Sequence, residues 1–164
     1  MNTSTPTRSH TRIDSPLGPL TLVATDGVLS GLYFAEHRHA PDPSLFGVAD
    51  PGSFRLVIAE LQRYFAGELT EFTVAVAPAG TPFQRQVWAQ LRRIGYGDRI
   101  SYAELADRVG NPAAVRAVAA ANGRNPISII VPCHRVVGSD GSLTGYAGGL
   151  TGKQFLLDLE SAAR

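Results

Sequence analysis

The chain has a single cysteine, Cys133, and the next residue is His134. A thiol attacks carbon as thiolate, yet with an ordinary pKa of about 8.5 it is mostly protonated at neutral pH. A neighbouring imidazole is the natural base, and Glu160 further along can orient that imidazole. Geometry sets a condition. Successive side chains of an extended segment point to opposite faces, so Cys133 and His134 meet only through a sharp turn or a bridging water. Pro132 is compatible with such a turn. The residues fit a nucleophile that keeps the group it captures, a cysteine hydrolase that turns over, or a cysteine that is only buried. One cysteine excludes an internal disulfide framework and cysteine-rich zinc sites, and it suits a reducing cytoplasm. His37 and His39 flank Arg38 and read as solvated loop histidines, because a metal site would need further ligands nearby.

The elements that must position these residues follow from periodicity. Residues 1–10 read as a loose tail. Leu20 to Thr25 and Val28 to Phe34 flank Asp26-Gly27 and predict a β-hairpin. Residues 36–52 read as a loop. Ser53 reads as the cap of a helix whose buried stripe is Phe54, Val57, Ile58, Leu61, Tyr64 and Phe65, with Gly67 at its end. Phe72 to Ala77 alternates like a short strand, and Pro78-Ala79-Gly80 marks a lobe boundary. Thr81-Pro82 opens a helix with Phe83, Val87, Leu91 and Ile94 on one face and Trp88 packed. Gly95 to Asp98 is a turn. Ser101 and Glu104 form a capping pattern for a helix that stops near Gly110, and Asn111-Pro112 opens another that runs to about Ala121.

Two short helices across a glycine-containing turn match the helix-turn-helix pattern. The second is rich in alanine, including Ala114 and Ala117, with Arg116 among them. So slim a helix can approach a nucleic-acid groove, or pack tightly within its own protein. Ile127 to Val131 reads as a buried strand ended by Pro132, which places Cys133 at a strand exit. The segment from Gly138 to Gly149 carries five glycines and reads as a ligand-facing loop; Thr151 and Gln154 then read as the cap of a last helix packed by Phe155, Leu156 and Leu159.

The chain has 164 residues and a net charge of +1, which by itself announces no partner. Its distribution is uneven. Residues 1–80 carry 5 Arg/Lys against 8 Asp/Glu, or −3, and residues 81–164 carry 10 against 6, or +4. A basic second half is compatible with a nucleic-acid face there. The first fifteen residues are polar and no apolar run of membrane-spanning length exists, so the expectation is a cytoplasmic protein with no membrane contact.

Pro132-Cys133-His134-Arg135-Val136 resembles the P-C-H-R-V signature of the O6-alkylguanine-DNA alkyltransferases, also called methylated-DNA–protein-cysteine methyltransferases. The likeness extends to R-A-V at 116–118, N-P at 125–126, I-I-V at 129–131, G-Y-A-G-G at 145–149 and the L-L-x-x-E ending at Glu160, and to T-x-I-D-S-P-L-G-P-L near the start. It implies an α+β protein with a small antiparallel sheet and helix at residues 1–78 and a mainly helical DNA-binding, alkyl-transfer lobe at 79–164. The implied activity is direct repair of double-stranded DNA: one irreversible transfer of an alkyl group from O6-alkylguanine, with O4-alkylthymine as a second candidate, to Cys133. The resemblance makes His134 the base acting through a water, Glu160 its orienter, Asn125 a brace and Tyr102 a donor to the guanine. Tyr146, Ala147, Gly148 and Val136 would bound the base pocket. Arg116 would enter the base stack, with Asn111, Ser139, Ala114 and Ala117 against the DNA. Some relatives carry serine at the position of Ala147, where the expected contact is from the backbone. Some bind zinc through cysteines absent here, so no metal and no cofactor is expected. The chain is expected to act as a monomer that can cluster on DNA, its first lobe serving as structural support.

Overall fold

The computed structural model describes residues 5–162. Its first lobe is built on a four-stranded sheet of order β3-β2-β1-β4, with β1 at Arg8–Ile13, β2 at Leu20–Thr25, β3 at Val28–Phe34 and β4 at Val48–Ala49. β1, β2 and β3 pair antiparallel; β4 joins β1 in parallel. The hairpin forms as expected, and its turn uses positive φ at both Asp26 (50°) and Gly27 (81°). The expected tail is shorter than predicted: residues 1–4 lie outside the described residues, but from Arg8 the chain already pairs with β2.

Alternation gives the sheet two apolar faces. Leu20, Leu22, Leu29, Leu32 and Phe34 enter the main core, while Val23 and Tyr33 turn to Phe46, which stacks on Tyr33 at 5.5 Å and 6°. The 36–52 segment, expected to be loop throughout, contributes β4 and two short 3-10 turns. α1 (Arg55–Phe65) buries Val57, Leu61 and Tyr64. Ser53 does not cap it: a 3-10 turn at Pro51–Phe54 leads directly into the helix, and the Ser53 hydroxyl donates to Asp50 at 2.6 Å.

Residues 72–77 form no strand beyond one bridge between Val76 and Leu29. The reason lies in α1. Glu60, buried at 5% exposure, accepts from Thr73 N at 3.0 Å, Thr73 Oγ1 at 2.8 Å and Val74 N at 2.9 Å. A buried carboxylate must find donors, and it takes the amides that a ladder would have used.

The second lobe holds α2 (Pro82–Leu91), β5 (Ile100–Ser101), α3 (Tyr102–Arg108), α4 (Val115–Gly123), β6 (Val136–Val137) and α5 (Leu150–Ala162). α2 begins with the expected cap at Thr81, completed as a reciprocal box by Gln84. Trp88 packs, and its Nε1 donates to Ala121 O at 2.8 Å, tying α2 to α4. α4 starts later than predicted. Residues 111–114 make a turn, closed by Ala114 N on Asn111 O at 2.9 Å, so Asn111 precedes the helix without capping it. α5 starts at Leu150, one residue before the expected cap at Thr151. β5 and β6 pair in parallel, which places the start of α3 beside the exit of the Cys133 turn.

One core runs through both lobes, from Leu20 and Leu22 to Val118, Val131 and Leu156. Leu32 N donates to Pro126 O at 2.9 Å, and Leu32 bridges Ile127, so β3 is fastened to the segment that leads to the cysteine.

Candidate active site

Ile127 to Val131 is buried, as its composition requires, yet it is no strand. Its amides are satisfied locally: Val131 N donates to Ile127 O at 3.0 Å and Ile130 N to Ser128 O at 2.8 Å. Asn125 supplies the frame. Its Oδ1 accepts from Ile127 N at 3.0 Å, and its Nδ2 donates to Val131 O at 2.8 Å. Ile129 is held at φ 72°, a region β-branched residues avoid, so the coil is over-determined by its surroundings. The predicted brace is thus a side chain standing in for a missing strand partner.

The coil delivers Cys133 into a 3-10 turn, Cys133–Arg135. This is the sharp local turn that the adjacency of Cys133 and His134 demands. Cys133 is 4% exposed and His134 fully buried. His134 Nε2 meets Glu160 Oε2 at 2.7 Å. Glu160 also accepts from Tyr64 Oη at 2.6 Å and, through both oxygens, from Arg135 Nε at 2.8 Å and a terminal Arg135 nitrogen at 3.0 Å. Burial works against the Glu160 charge, but hydrogen bonds and charge from His134 and Arg135 outweigh it and hold the carboxyl well below its usual range. An ionised carboxylate only accepts, so the proton shared with His134 sits on Nε2. Burial, partly opposed by Glu160, holds the imidazole below its usual value. The ring is therefore neutral at pH 7, with its lone pair on Nδ1, and that buried nitrogen has no partner among the described residues.

Burial pushes the Cys133 thiol up; a hydrogen bond from Asn125 and the charge of Lys153 pull it down. Lys153 was missed in the sequence. It is the only lysine in the chain and fully buried, and its Nζ donates to Val136 O at 2.6 Å and Thr144 O at 3.0 Å. Burial lowers its ammonium to about 8, with Cys133 acting in the opposite sense. The signal was available: Lys153, Leu156, Leu157 and Glu160 recur at the spacing of one helical face, so a lysine stood on an apolar stripe. Arg135 and Tyr64 were missed as well. Arg135 is 7% exposed and also donates to Ile94 O at 2.6 Å.

A cleft of about 550 Å³ has Tyr102, Asn122, Thr144, Tyr146 and Ala147 in its walls, and Asn122 Nδ2 donates to Cys133 O at 3.5 Å behind it. Tyr102 and Tyr146 are both within electrostatic reach of Cys133. Burial raises the Tyr102 phenol, and the Thr144 hydroxyl donates to its oxygen at 2.7 Å, leaving the phenolic hydrogen free to be given. Tyr146 packs edge-on against Phe34 at 5.6 Å, with the Ser128 hydroxyl facing its own. Gly148 allows this approach: a Cβ there would lie 2.7 Å from the Phe34 ring. Val136 contributes its side chain to the core and its carbonyl to Lys153.

The remaining candidates lie outside the cluster. Arg116 and Ala117 are exposed on α4, Ala114 is half-buried at its start, and Asn111 and Ser139 are exposed in turns. Ala117 and Ala120 leave the outer face of α4 low around Arg116, while Val118, Ala121 and Asn122 face inward. His37 is not a free loop histidine: Phe34 N donates to its Nδ1 at 3.1 Å. Among the described residues no three His, Cys, Asp or Glu side chains converge as a metal site would require, and no helix is long and apolar enough to cross a membrane.

Residues 82–162 match the family described as 6-O-methylguanine DNA methyltransferase, DNA binding domain, and residues 9–78 match its ribonuclease-like domain. A methylated-DNA–protein-cysteine methyltransferase of Mycobacterium tuberculosis is 51% identical over 150 residues, covering 92% of this chain and 90% of the relative. One from Methanosarcina acetivorans is 47% identical, covering 91% and 96%. The solved structure of Mycobacterium tuberculosis OGT in complex with DNA superposes with a TM-score of 0.89 at 49% identity, covering 94% of each chain.

Proposed function

Because the chain belongs to the 6-O-methylguanine DNA methyltransferase family, we propose that it repairs DNA directly, moving the alkyl group of O6-alkylguanine onto Cys133. The protein is a DNA-binding methyltransferase of α+β fold. The observation that carries the residue assignment is the arrangement of the neutral imidazole of His134, its Nε2 committed to Glu160 and its Nδ1 unpartnered, next to the only thiol.

The chemistry balances within these groups. His134 Nδ1 takes the thiol proton through a bridging water, and the charge formed on sulfur is offset by Lys153. The sulfur lone pair forms a bond to the alkyl carbon as the carbon–O6 bond breaks, and that electron pair passes to the guanine. Tyr102, its oxygen already accepting from Thr144, gives its phenolic hydrogen bond to the departing base. The Ala147 and Gly148 amides donate to no group among the described residues and can serve the O6 side. Val136 and Tyr146 bound the pocket.

A base inside a duplex is out of reach of a buried sulfur, so the nucleotide must rotate out of the stack. The low outer face of α4 fits a groove, with Ala114, Ala117, Asn111 and Ser139 against the DNA and Arg116 filling the vacated stack. We take residues 1–78 as the supporting lobe and 79–164 as the DNA-binding and transferring one. The thioether product has no second thiol to release it, so each molecule acts once.

The test is a duplex carrying radiolabelled O6-methylguanine. Label should move to protein at no more than one equivalent, and peptide mapping should place it on Cys133. Repeated turnover would instead favour a hydrolase. Repair with residue 133 unmodified would end the assignment.

A further inference from the structure

The first lobe reaches the mouth of the cleft through residues 36–40. This loop is fixed rather than loose. The His37 ring accepts from Phe34 N and stacks on Phe34 at 5.6 Å, and Phe34 in turn meets Tyr146. Arg38 N donates to Ala147 O at 3.1 Å, which fastens the loop to the wall of the cleft. His39 is held at φ 63°, a left-handed conformation uncommon outside glycine.

The loop thereby brings two exposed side chains toward Arg124, which follows the last turn of α4. Arg38, His39 and Arg124 line the cleft together, and both guanidinium groups act electrostatically on His39. Neither arginine side chain has an ion pair or hydrogen bond among the described residues, and Glu36 in the same loop pairs with neither. Two unpartnered guanidinium groups from separate elements repel each other when the site is empty and suit an anion with several oxygens, which the arginine fork matches.

We propose that Arg38 and Arg124, with His39 between them, clamp a backbone phosphate of the DNA strand whose nucleotide enters the cleft between Tyr102 and Tyr146. The inference rests on the reading of the cleft as a lesion pocket and deepens it. A nucleotide seated there draws its own phosphate across the rim where these side chains stand. Arg124 lies eight residues after Arg116, about 12 Å along the helix axis, so one helix serves both the groove and the groove wall. The first lobe then shares in DNA recognition, which its net charge of −3 over residues 1–80 conceals.

The test compares wild type with the double variant Arg38→Ala/Arg124→Ala. Binding to a lesion duplex and to the matched undamaged duplex is followed against sodium chloride concentration. Each lost phosphate contact reduces the slope of log K on log salt by about 0.9. The slope on the lesion duplex should be shallower by about 0.9, with affinity about tenfold or more weaker near 0.15 M salt and a smaller loss on undamaged DNA. Arg38→Lys/Arg124→Lys should recover most of the slope, and thermal melting should show all three proteins folded. An unchanged slope overturns the clamp, as does an equal loss on both duplexes. Inorganic phosphate tests the other source of the same chemistry: if it displaces DNA from wild type alone, beyond chloride at matched ionic strength, the site takes small anions and the clamp is overturned. Label transfer to Cys133 is measured in parallel. Its absence with the slope difference intact would remove the repair reading and leave the clamp standing.

Discussion

Tyr64, on the helix of the first lobe, donates its phenolic hydrogen to Glu160 Oε2 at 2.6 Å across a sequence separation of 96 residues. The first lobe therefore supplies a direct partner to the carboxylate that orients His134. Tyr64→Phe should remove a charge-assisted hydrogen bond and leave a buried carboxylate oxygen one donor short. Such bonds contribute about 1.5–3 kcal/mol. The urea midpoint should fall accordingly, and methyl transfer should slow. An unchanged midpoint would mean that the contact contributes nothing.

Glu160 also sets the response to acid. Its folded pKa is depressed, so the stability it contributes is fully present above the ordinary carboxylate range and is lost as pH falls below that range toward the lower folded value. Glu160→Gln should flatten the acid limb of a stability–pH profile below about pH 4. It should also cost about 3–5 kcal/mol at pH 7 by leaving Arg135 buried without its partner. Glu160→Asp, which keeps the charge, should retain the acid limb; an identical limb in the Gln variant would assign it to other groups.

Lys153 titrates at about 8, below its ordinary value. The unfolded chain then binds the extra proton between that value and about 10.4, so this lysine makes stability rise with pH across the interval. The same loss of charge removes the cation that offsets the thiolate, so methyl transfer should decline above about pH 8. Lys153→Met should fold, transfer on the order of tenfold more slowly at pH 7, and lack that decline. Superimposable rate profiles for the two proteins would exclude Lys153 from the reaction.

Arg116 is exposed on a face kept low by alanine. If it occupies the space left by the rotated nucleotide, Arg116→Ala should slow repair of a lesion in duplex DNA by about tenfold or more. A single-stranded oligonucleotide has little stacking to replace, so repair there should barely change, because unstacking a duplex base costs only a few kcal/mol to begin with. Equal losses on both substrates would point to simple phosphate attraction.

Alkylation adds atoms to a site where Cys133 is already part of the core. Overpacking of this kind costs about 1–3 kcal/mol. For a chain of this size that corresponds to a fall in melting temperature of roughly 2–12 °C after reaction with lesion DNA. Calorimetry of the free and alkylated proteins would decide it, and equal melting temperatures would show that the pocket has room to spare.

Much of this was legible in the residues themselves. Asp26-Gly27 announced the hairpin, Thr81-Pro82 the start of α2, and the alanines the slim face of α4, because each is a local preference that the fold left in force. The failures share one cause. Residues 72–77 and 127–131 both have the composition of strands, but side chains outside each segment took their backbone groups: Glu60, on the preceding helix, in the first case and Asn125, two residues upstream, in the second. Propensity describes a segment without its partners, and these partners are one turn of helix or one coil away in space. Arg135 and Tyr64 were hidden for the opposite reason. Each looks ordinary in sequence, and only folding reveals that both converge on one carboxylate.

The chain carries fourteen arginines and a single lysine, Lys153, and that lysine is sealed beneath the pocket. The native fold therefore displays no lysine amine to a reagent in solution. Acylating agents can mark residue 153 only during excursions in which α5 lifts or the glycine-rich loop opens. The rate of that marking becomes a clock for opening of the pocket, readable by mass in a protein whose side-chain background is silent.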